Sequence, residues 1–157
     1  MAEIVLKNAT KKYRKGKVVA VNDLTLTCKD KGFVAILGPS GAGKTSTLKM
    51  IAGIEDLTEG SLTIGGEDMT NAAPQNRNVS MVFEGYALYP HMTVRENLAF
   101  PLKAKRYQDW TSEQINAKVN EWAQTVGLDG LLDRKPSQLS GGQRQRVSLA
   151  RALVRAP

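Results

Sequence analysis

Apolar residues spaced for strands open the chain, and residues spaced for helices close it. Ile4-Val5-Leu6 starts a short strand, and Thr10-Lys11-Lys12-Tyr13-Arg14-Lys15-Gly16 reads as a basic turn with one exposed aromatic, Tyr13. Residues 18–21 and the alternating Leu24, Leu26 and Cys28 read as two half-buried strands, an antiparallel opening. Residues 29–32 then turn the chain into Phe33-Val34-Ala35-Ile36-Leu37, a continuous apolar run of the kind that forms a strand buried on both faces. A helix-compatible run over 44–52 stops at Gly53, a good C-terminal cap. Residues 57–60 make a turn, 61–64 a strand and Gly65-Gly66 a tight reversal; 79–83 is a second buried strand, ending at Glu84-Gly85.

The second half predicts helices. Thr93 with Glu96 forms a capping box whose helix Pro101 kinks or ends. Thr111 with Gln114 forms another, and its helix places Ile115, Val119, Trp122 and Val126 on one face before Gly127 stops it. Trp122 is expected in the core; Trp110, just outside, is an exposed anchor or a staple residue. Ser140 with Gln143 forms a third box at the head of a basic amphipathic helix. There Arg144, Arg151 and Arg155 share one face and Val147, Ala150 and Val154 the other, and the apolar face, Leu153 included, is expected to need a sheet to pack on. Gly141 and Gly142 leave the helix start open to a phosphate; a simple capped helix with a solvated arginine face fits the same spacing.

At 157 residues, 41% of them apolar, the chain is one domain's worth of sequence with an ordinary core. No apolar run approaches the ~20 residues of a membrane helix, and the first residues lack a signal-peptide profile. The single cysteine, Cys28, makes a reducing cytoplasmic setting the default. The net charge of +7 is spread over both ends of the chain with no aromatic-interleaved basic patch, so solvated surface and a phosphate ligand are expected rather than nucleic acid.

The chemistry concentrates in Gly38-Pro39-Ser40-Gly41-Ala42-Gly43-Lys44-Thr45, which fits the phosphate-cradling pattern G-x-x-x-x-G-K-[ST] between an apolar run and a helix. Small residues let successive backbone N–H groups turn inward around an anion, and the helix start adds partial positive charge. Lys44 reaches the outer phosphates, and the Thr45 hydroxyl suits the Mg²⁺ that accompanies them. The pattern is that of a nucleoside-triphosphate binder.

Together with Leu139-Ser140-Gly141-Gly142-Gln143, this loop resembles the ATP-binding cassette (ABC) transporter ATPases, over essentially the whole chain. Tyr89-Pro90-His91-Met92-Thr93-Val94, Leu131-Leu132-Asp133-Arg134-Lys135-Pro136 and Gln143-Arg144-Gln145-Arg146-Val147 are similar to the carbohydrate-importer branch. The resemblance implies an α/β fold: a P-loop NTPase core with an N-terminal antiparallel β subdomain and a helical subdomain, truncated before the metal-acid strand. It divides the partial domain into 1–85, the ATP-binding core and antiparallel β part, 86–138, the helical subdomain, and 139–157, the signature and its helix. It implies ATP and Mg²⁺ as cofactors. Tyr13 would stack on adenine beside Val18, Gly38 to Thr45 and Ser46 would hold phosphates, and Thr45 and the residue at 84 would hold Mg²⁺. Ser140, Gly141, Gly142 and Gln143 would face the γ-phosphate on a second copy paired head to tail. Transmembrane permease subunits would dock near 84–91, at the cytoplasmic face of the membrane.

Two departures bear on activity. Glu84 stands where the family carries glutamine, so an oxygen for Mg²⁺ remains but the amide donors are lost; Lys44 and Glu84 are the catalytic candidates in this chain. The family's metal-positioning aspartate and water-activating glutamate follow an apolar strand beyond Arg155-Ala156-Pro157, so the parent activity is ATP hydrolysis while residues 1–157 alone are expected not to turn over. Spacing alone also permits 79–84 to be the metal-acid strand. Two other roles fit the residues less well. One is a truncated, non-hydrolysing nucleotide-binding module paired with full-length ABC ATPases; the other is an ABC protein acting on nucleic acid, against which 89–94 argues.

Overall fold

In the computed structural model, which describes residues 2–104 and 109–156, the chain forms two compact units, Met1–Val79 and Ser80–Pro157. The first holds four antiparallel strands, β1 (Ile4–Tyr13), β2 (Val18–Cys28), β3 (Glu59–Ile64) and β4 (Glu67–Asp68), in the order β2-β1-β3-β4, with helix α1 (Lys44–Ala52). Leu6 lies opposite Leu26 on one side and Leu62 on the other, and Leu6, Ala9 and Leu62 form a buried core against which Ile51, Leu57 and Met69 pack. Such cross-strand apolar pairs fix the register.

The antiparallel opening is as expected, but its lengths differ. Thr10 to Tyr13 belong to β1, and only 14–17 turn. β1 runs past the polar Asn8 by shifting register there, with Asn8 in the left-handed region at φ 49° and its amide donating to Asp23 at 2.7 Å. A bulge that absorbs one residue lets a polar interruption sit inside a strand, which periodicity does not announce. The two stretches of 18–28 are likewise one strand.

Residues 33–37 and 79–83 do not form strands. Phe33 is 94% and Leu37 89% exposed, and among the described residues neither run has a ladder partner. A strand buried on both faces is defined by neighbours along both edges, and β2 and β4, the edges of the sheet present, pair with neither run.

The second unit packs α2 (Val94–Ala99), α3 (Ser112–Thr125) and α4 (Gly141–Leu153) around Val94, Leu98, Val119, Ala123, Leu128, Leu139, Val147 and Ala150. Each helix begins in the expected capping box, with both reciprocal hydrogen bonds formed. α2 ends at Ala99, where a 3₁₀ turn containing Pro101 takes over, and Gly127, at φ 64°, follows the end of α3. Trp122 packs against the core as expected. Val147 and Ala150 are buried in this cluster, which holds no strand residue among the described residues, and Val154 is buried too, so the expectation that the face needs a sheet is corrected for these three; Leu153, the fourth residue of that face, remains exposed, as does Leu149.

Asn97 is the polar exception in that core. Its Oδ1 accepts from the Tyr89 N–H at 2.9 Å, and its Nδ2 donates to the carbonyls of Tyr89, Met92 and Thr93 at 3.1, 3.2 and 2.9 Å. It is fully buried, so removing it strands several backbone groups away from water. Asn97→Ala should lower stability by about 3 kcal/mol, read as a lower urea midpoint at unchanged slope. Asn97→Asp should do no better, because a carboxylate cannot donate to three carbonyls.

Candidate functional site

The loop 38–45 is shaped by its glycines and by β2. Gly41 and Gly43 adopt φ values of 82° and 81°, and a side chain at Gly43 would collide with the Ala20 carbonyl and the Val21 side chain. Only glycine lets the loop lie this close to β2 while turning left-handed. Ser40 to Ser46, with Ala20, line a cavity of about 220 Å³.

Helix α1 leaves its start open to an anion. Gly43 supplies no side-chain acceptor, and no acidic residue occupies the first turn. The N–H groups there are therefore uncapped, in contrast to α2, α3 and α4. At its other end Gly53, at φ 73°, closes the helix: its N–H and that of Ile54 donate to Met50 and Lys49 at 3.2 and 2.9 Å. The Lys44 ammonium lies inside the loop, donating to the Gly38 and Pro39 carbonyls at 2.8 and 2.6 Å. Those partners are neutral, so a phosphate offers the ammonium a stronger, charge-assisted acceptor. The Thr45 hydroxyl is exposed at the helix start, a hard oxygen donor beside the cradle. Triphosphate with Mg²⁺ thus fits the residues of this loop.

Tyr13 and Val18 face each other across the last pair of the β1–β2 ladder, and Val18 is exposed. Tyr13, expected as an exposed aromatic, is half-buried: its hydroxyl donates to the Glu55 carboxylate and lies 3.1 Å from the Ser46 Oγ. Burial pushes the Tyr13 hydroxyl up, and the hydrogen bond to Glu55 adds to it. Burial also pushes the Glu55 carboxyl up, but the hydrogen bonds from Tyr13 and Lys49 and the charges of Lys49 and Lys11 prevail and hold it below the usual carboxylate range. Glu55, Lys49 and Lys11 were not among the expected site residues. Glu55 is 42 residues from Tyr13 in sequence, and no local spacing links them.

In the second unit the Ser140 Oγ accepts from the Gln143 N–H at 3.2 Å, and the Gln143 Oε1 accepts from the Ser140 N–H at 2.8 Å. The serine uses a lone pair in this box and keeps its proton to donate elsewhere. Side chains at Gly141 and Gly142 would meet nothing within 4 Å, and neither glycine has positive φ. Local packing therefore does not require these two glycines.

Glu84 is exposed at the end of 79–83. Thr45 belongs to the first unit and Glu84 to the second. Past Glu84, Tyr86 and Ala87 both adopt positive φ, 60° and 47°. The Tyr86 carbonyl accepts from the Ser148 hydroxyl at 2.9 Å and from Arg151 at 3.3 Å, while the Arg151 guanidinium lies 5.2 Å from the Tyr89 ring centroid. Burial lowers the pKa of Arg151. Arg146 donates to the Val126 and Gly127 carbonyls at the end of α3. Two arginines of α4 thus hold carbonyls of the unit itself, and its arginines do not form a purely solvated face.

Among the described residues no helix is long and apolar enough to cross a membrane. A family model described as ABC transporter matches residues 21–157. The chain is 55% identical over its whole length to the trehalose import ATP-binding protein SugC of Mycobacterium tuberculosis, of which it covers 39%. It is 50% identical, again over its whole length, to the xylose/arabinose import ATP-binding protein XacJ of Haloferax volcanii, of which it covers 40%. It thus spans about two fifths of the length of these curated relatives. Among solved structures, the dimeric ATP-binding cassette MJ0796 in a post-hydrolysis state, bound to ADP and Pi, aligns with a TM-score of 0.85 at 32% identity, over 98% of this chain and 70% of that one.

Proposed function

The chain belongs to the ABC transporter family, and from that premise we propose that it is part of the ATP-binding subunit of an importer whose solute is a carbohydrate. The observation that carries this reading is the loop 38–45: a bare-backbone cradle, an uncapped helix start and a lysine held only by neutral carbonyls. Relatives named for trehalose and for xylose/arabinose import support the solute class.

In this reading residues 38–46 bind the triphosphate, Tyr13 stacks on the base beside Val18, and the Thr45 hydroxyl would be an oxygen ligand for Mg²⁺. When bound, the ion neutralises charge on the outer phosphate oxygens. Lys44 moves from the Gly38 and Pro39 carbonyls to those phosphates. Ser140 donates its free proton to a γ-phosphate carried by a second copy, which approaches over the bare Gly141, Gly142 and Gln143 backbone. The division 1–85, 86–138 and 139–157 follows these roles. Permease subunits at the cytoplasmic face receive the closure through 84–91. This sequence has no Asp-Glu dipeptide, and the water-activating step is not assigned to its residues.

Uptake of radiolabelled mono- and disaccharides by source cells lacking the gene tests the assignment. Loss of at least one carbohydrate uptake is expected, restored by the wild-type gene and not by Lys44→Ala. Undiminished uptake of every carbohydrate would overturn it.

A further inference from the structure

Tyr13 is held by contacts within its own chain. Its backbone is fixed in the ladder opposite Val18. Its hydroxyl is shared between Ser46, on the first turn of α1, and Glu55, just past the end of that helix. The Glu55 carboxylate is itself gripped from two sides: Lys49 donates to it at 3.2 Å, and the Lys11 ammonium lies 3.7 Å away. Its side chain is mostly buried, as is that of Lys11. Lys11 in turn donates to the Asp56 carbonyl at 2.7 Å and lies 5.1 Å from the centre of the Tyr13 ring. A cation there engages one face of the ring and leaves the other for a stacking partner.

An unrestrained tyrosine at a hairpin end would turn about its side-chain bonds and lose that freedom on stacking, a loss of about 0.5–1.5 kcal/mol, or roughly 2- to 12-fold in affinity. Here the freedom is already removed. Resting on the reading of 38–45 as the phosphate site and of Tyr13 as the base platform, we propose that Glu55 is the positioning residue of that platform: with Lys11 and Lys49 it locks the Tyr13 ring in the base-stacking orientation and ties it through Ser46 to the helix that holds the phosphates.

The test separates base from phosphate. The probes are Mg-ATP and Mg-tripolyphosphate, titrated calorimetrically into the wild-type protein, Glu55→Ala, Glu55→Gln, Tyr13→Phe and the Glu55→Ala/Tyr13→Phe pair, with far-UV circular dichroism confirming the fold. Glu55→Ala should weaken ATP binding roughly 5- to 10-fold and leave tripolyphosphate unchanged. Glu55→Gln should recover part of the loss, because its amide oxygen still accepts from Tyr13. The double variant should lose little more than either single one, as expected for partners in one contact. Equal weakening of both ligands would overturn the proposal by making Glu55 a support of the phosphate loop, and so would unchanged ATP affinity in Glu55→Ala. Equal wild-type affinity for the two probes would overturn the base platform itself, and failure of both to bind would overturn the phosphate site and this proposal with it.

Discussion

Lys44→Ala is expected to weaken Mg-ATP binding by about 3 kcal/mol, roughly 100-fold, because it deletes charge-assisted contacts to the outer phosphates and leaves the cradle with backbone donors alone. The structure adds a second consequence. The ammonium bridges the Gly38 and Pro39 carbonyls, so its loss also removes two hydrogen bonds inside the loop. Lys44→Arg should not rescue. The ammonium fits between two carbonyls less than 3 Å away, whereas a planar guanidinium needs a flat, bidentate partner. Isothermal titration with ATP, ADP and AMP distinguishes the role. Both variants should lose affinity for ATP and ADP and change little for AMP, whose single phosphate lies inside the reach of the backbone cradle. Equal losses for all three would mean that the lysine maintains loop structure and does not read the outer phosphates.

How much of this was legible in the sequence follows from how local each feature is. The three capping boxes, Thr93/Glu96, Thr111/Gln114 and Ser140/Gln143, were readable because each is closed within four residues. The phosphate loop was readable for the same reason, since its glycines, its lysine and the helix that follows are contiguous. Residues 33–37 and 79–83 misled because their apolar runs describe what the chain wants to bury, while a strand also needs a partner along its edge. The apolar face of α4 misled in the opposite sense: Val147 and Ala150 found their cover in α2, α3 and the turns that link α3 to α4. Nothing local marks Glu55, whose partners Lys11, Tyr13 and Lys49 come from β1 and α1 and meet only when the hairpin and the helix pack together. The bare Gly141 and Gly142 are the intermediate case: the sequence shows two glycines, and the structure shows that no internal contact calls for them.

The residue that most resisted sequence reading should also carry the largest stability effect. Arg77, in the polar stretch 74–78 that drew no notice in the sequence, is only 2% exposed. Its Nε donates to the Ala72 carbonyl at 2.8 Å, one Nη to Met50 and Ile51 at 2.6 and 3.2 Å, and the other Nη to Thr70 at 3.4 Å. Met50 and Ile51 are in the last turn of α1, so the guanidinium gives the Ile51 carbonyl a donor and adds a second donor to the Met50 carbonyl, which Gly53 already caps, and its charge complements the helix C-terminus. Burial lowers the pKa of this guanidinium, but arginine has ample margin to stay charged. Gly53 makes the arrangement possible: a Cβ there would lie 2.6 Å from the Arg77 Nε, and φ of 73° already disfavours a side chain. Arg77→Met, similar in bulk but without donors, should lower stability by about 3–5 kcal/mol, a large share of the roughly 5–15 kcal/mol typical of a domain. Arg77→Lys should recover only part, because three donors on one nitrogen cannot span four carbonyls. Gly53→Ala should approach the loss of Arg77→Met by the reverse route, displacing the guanidinium instead of deleting it, and combining the two should cost far less than their sum. Urea titration of the three single variants and the Gly53→Ala/Arg77→Met pair measures this directly; additive losses would mean that Gly53 and Arg77 act independently and that backbone strain alone explains the glycine.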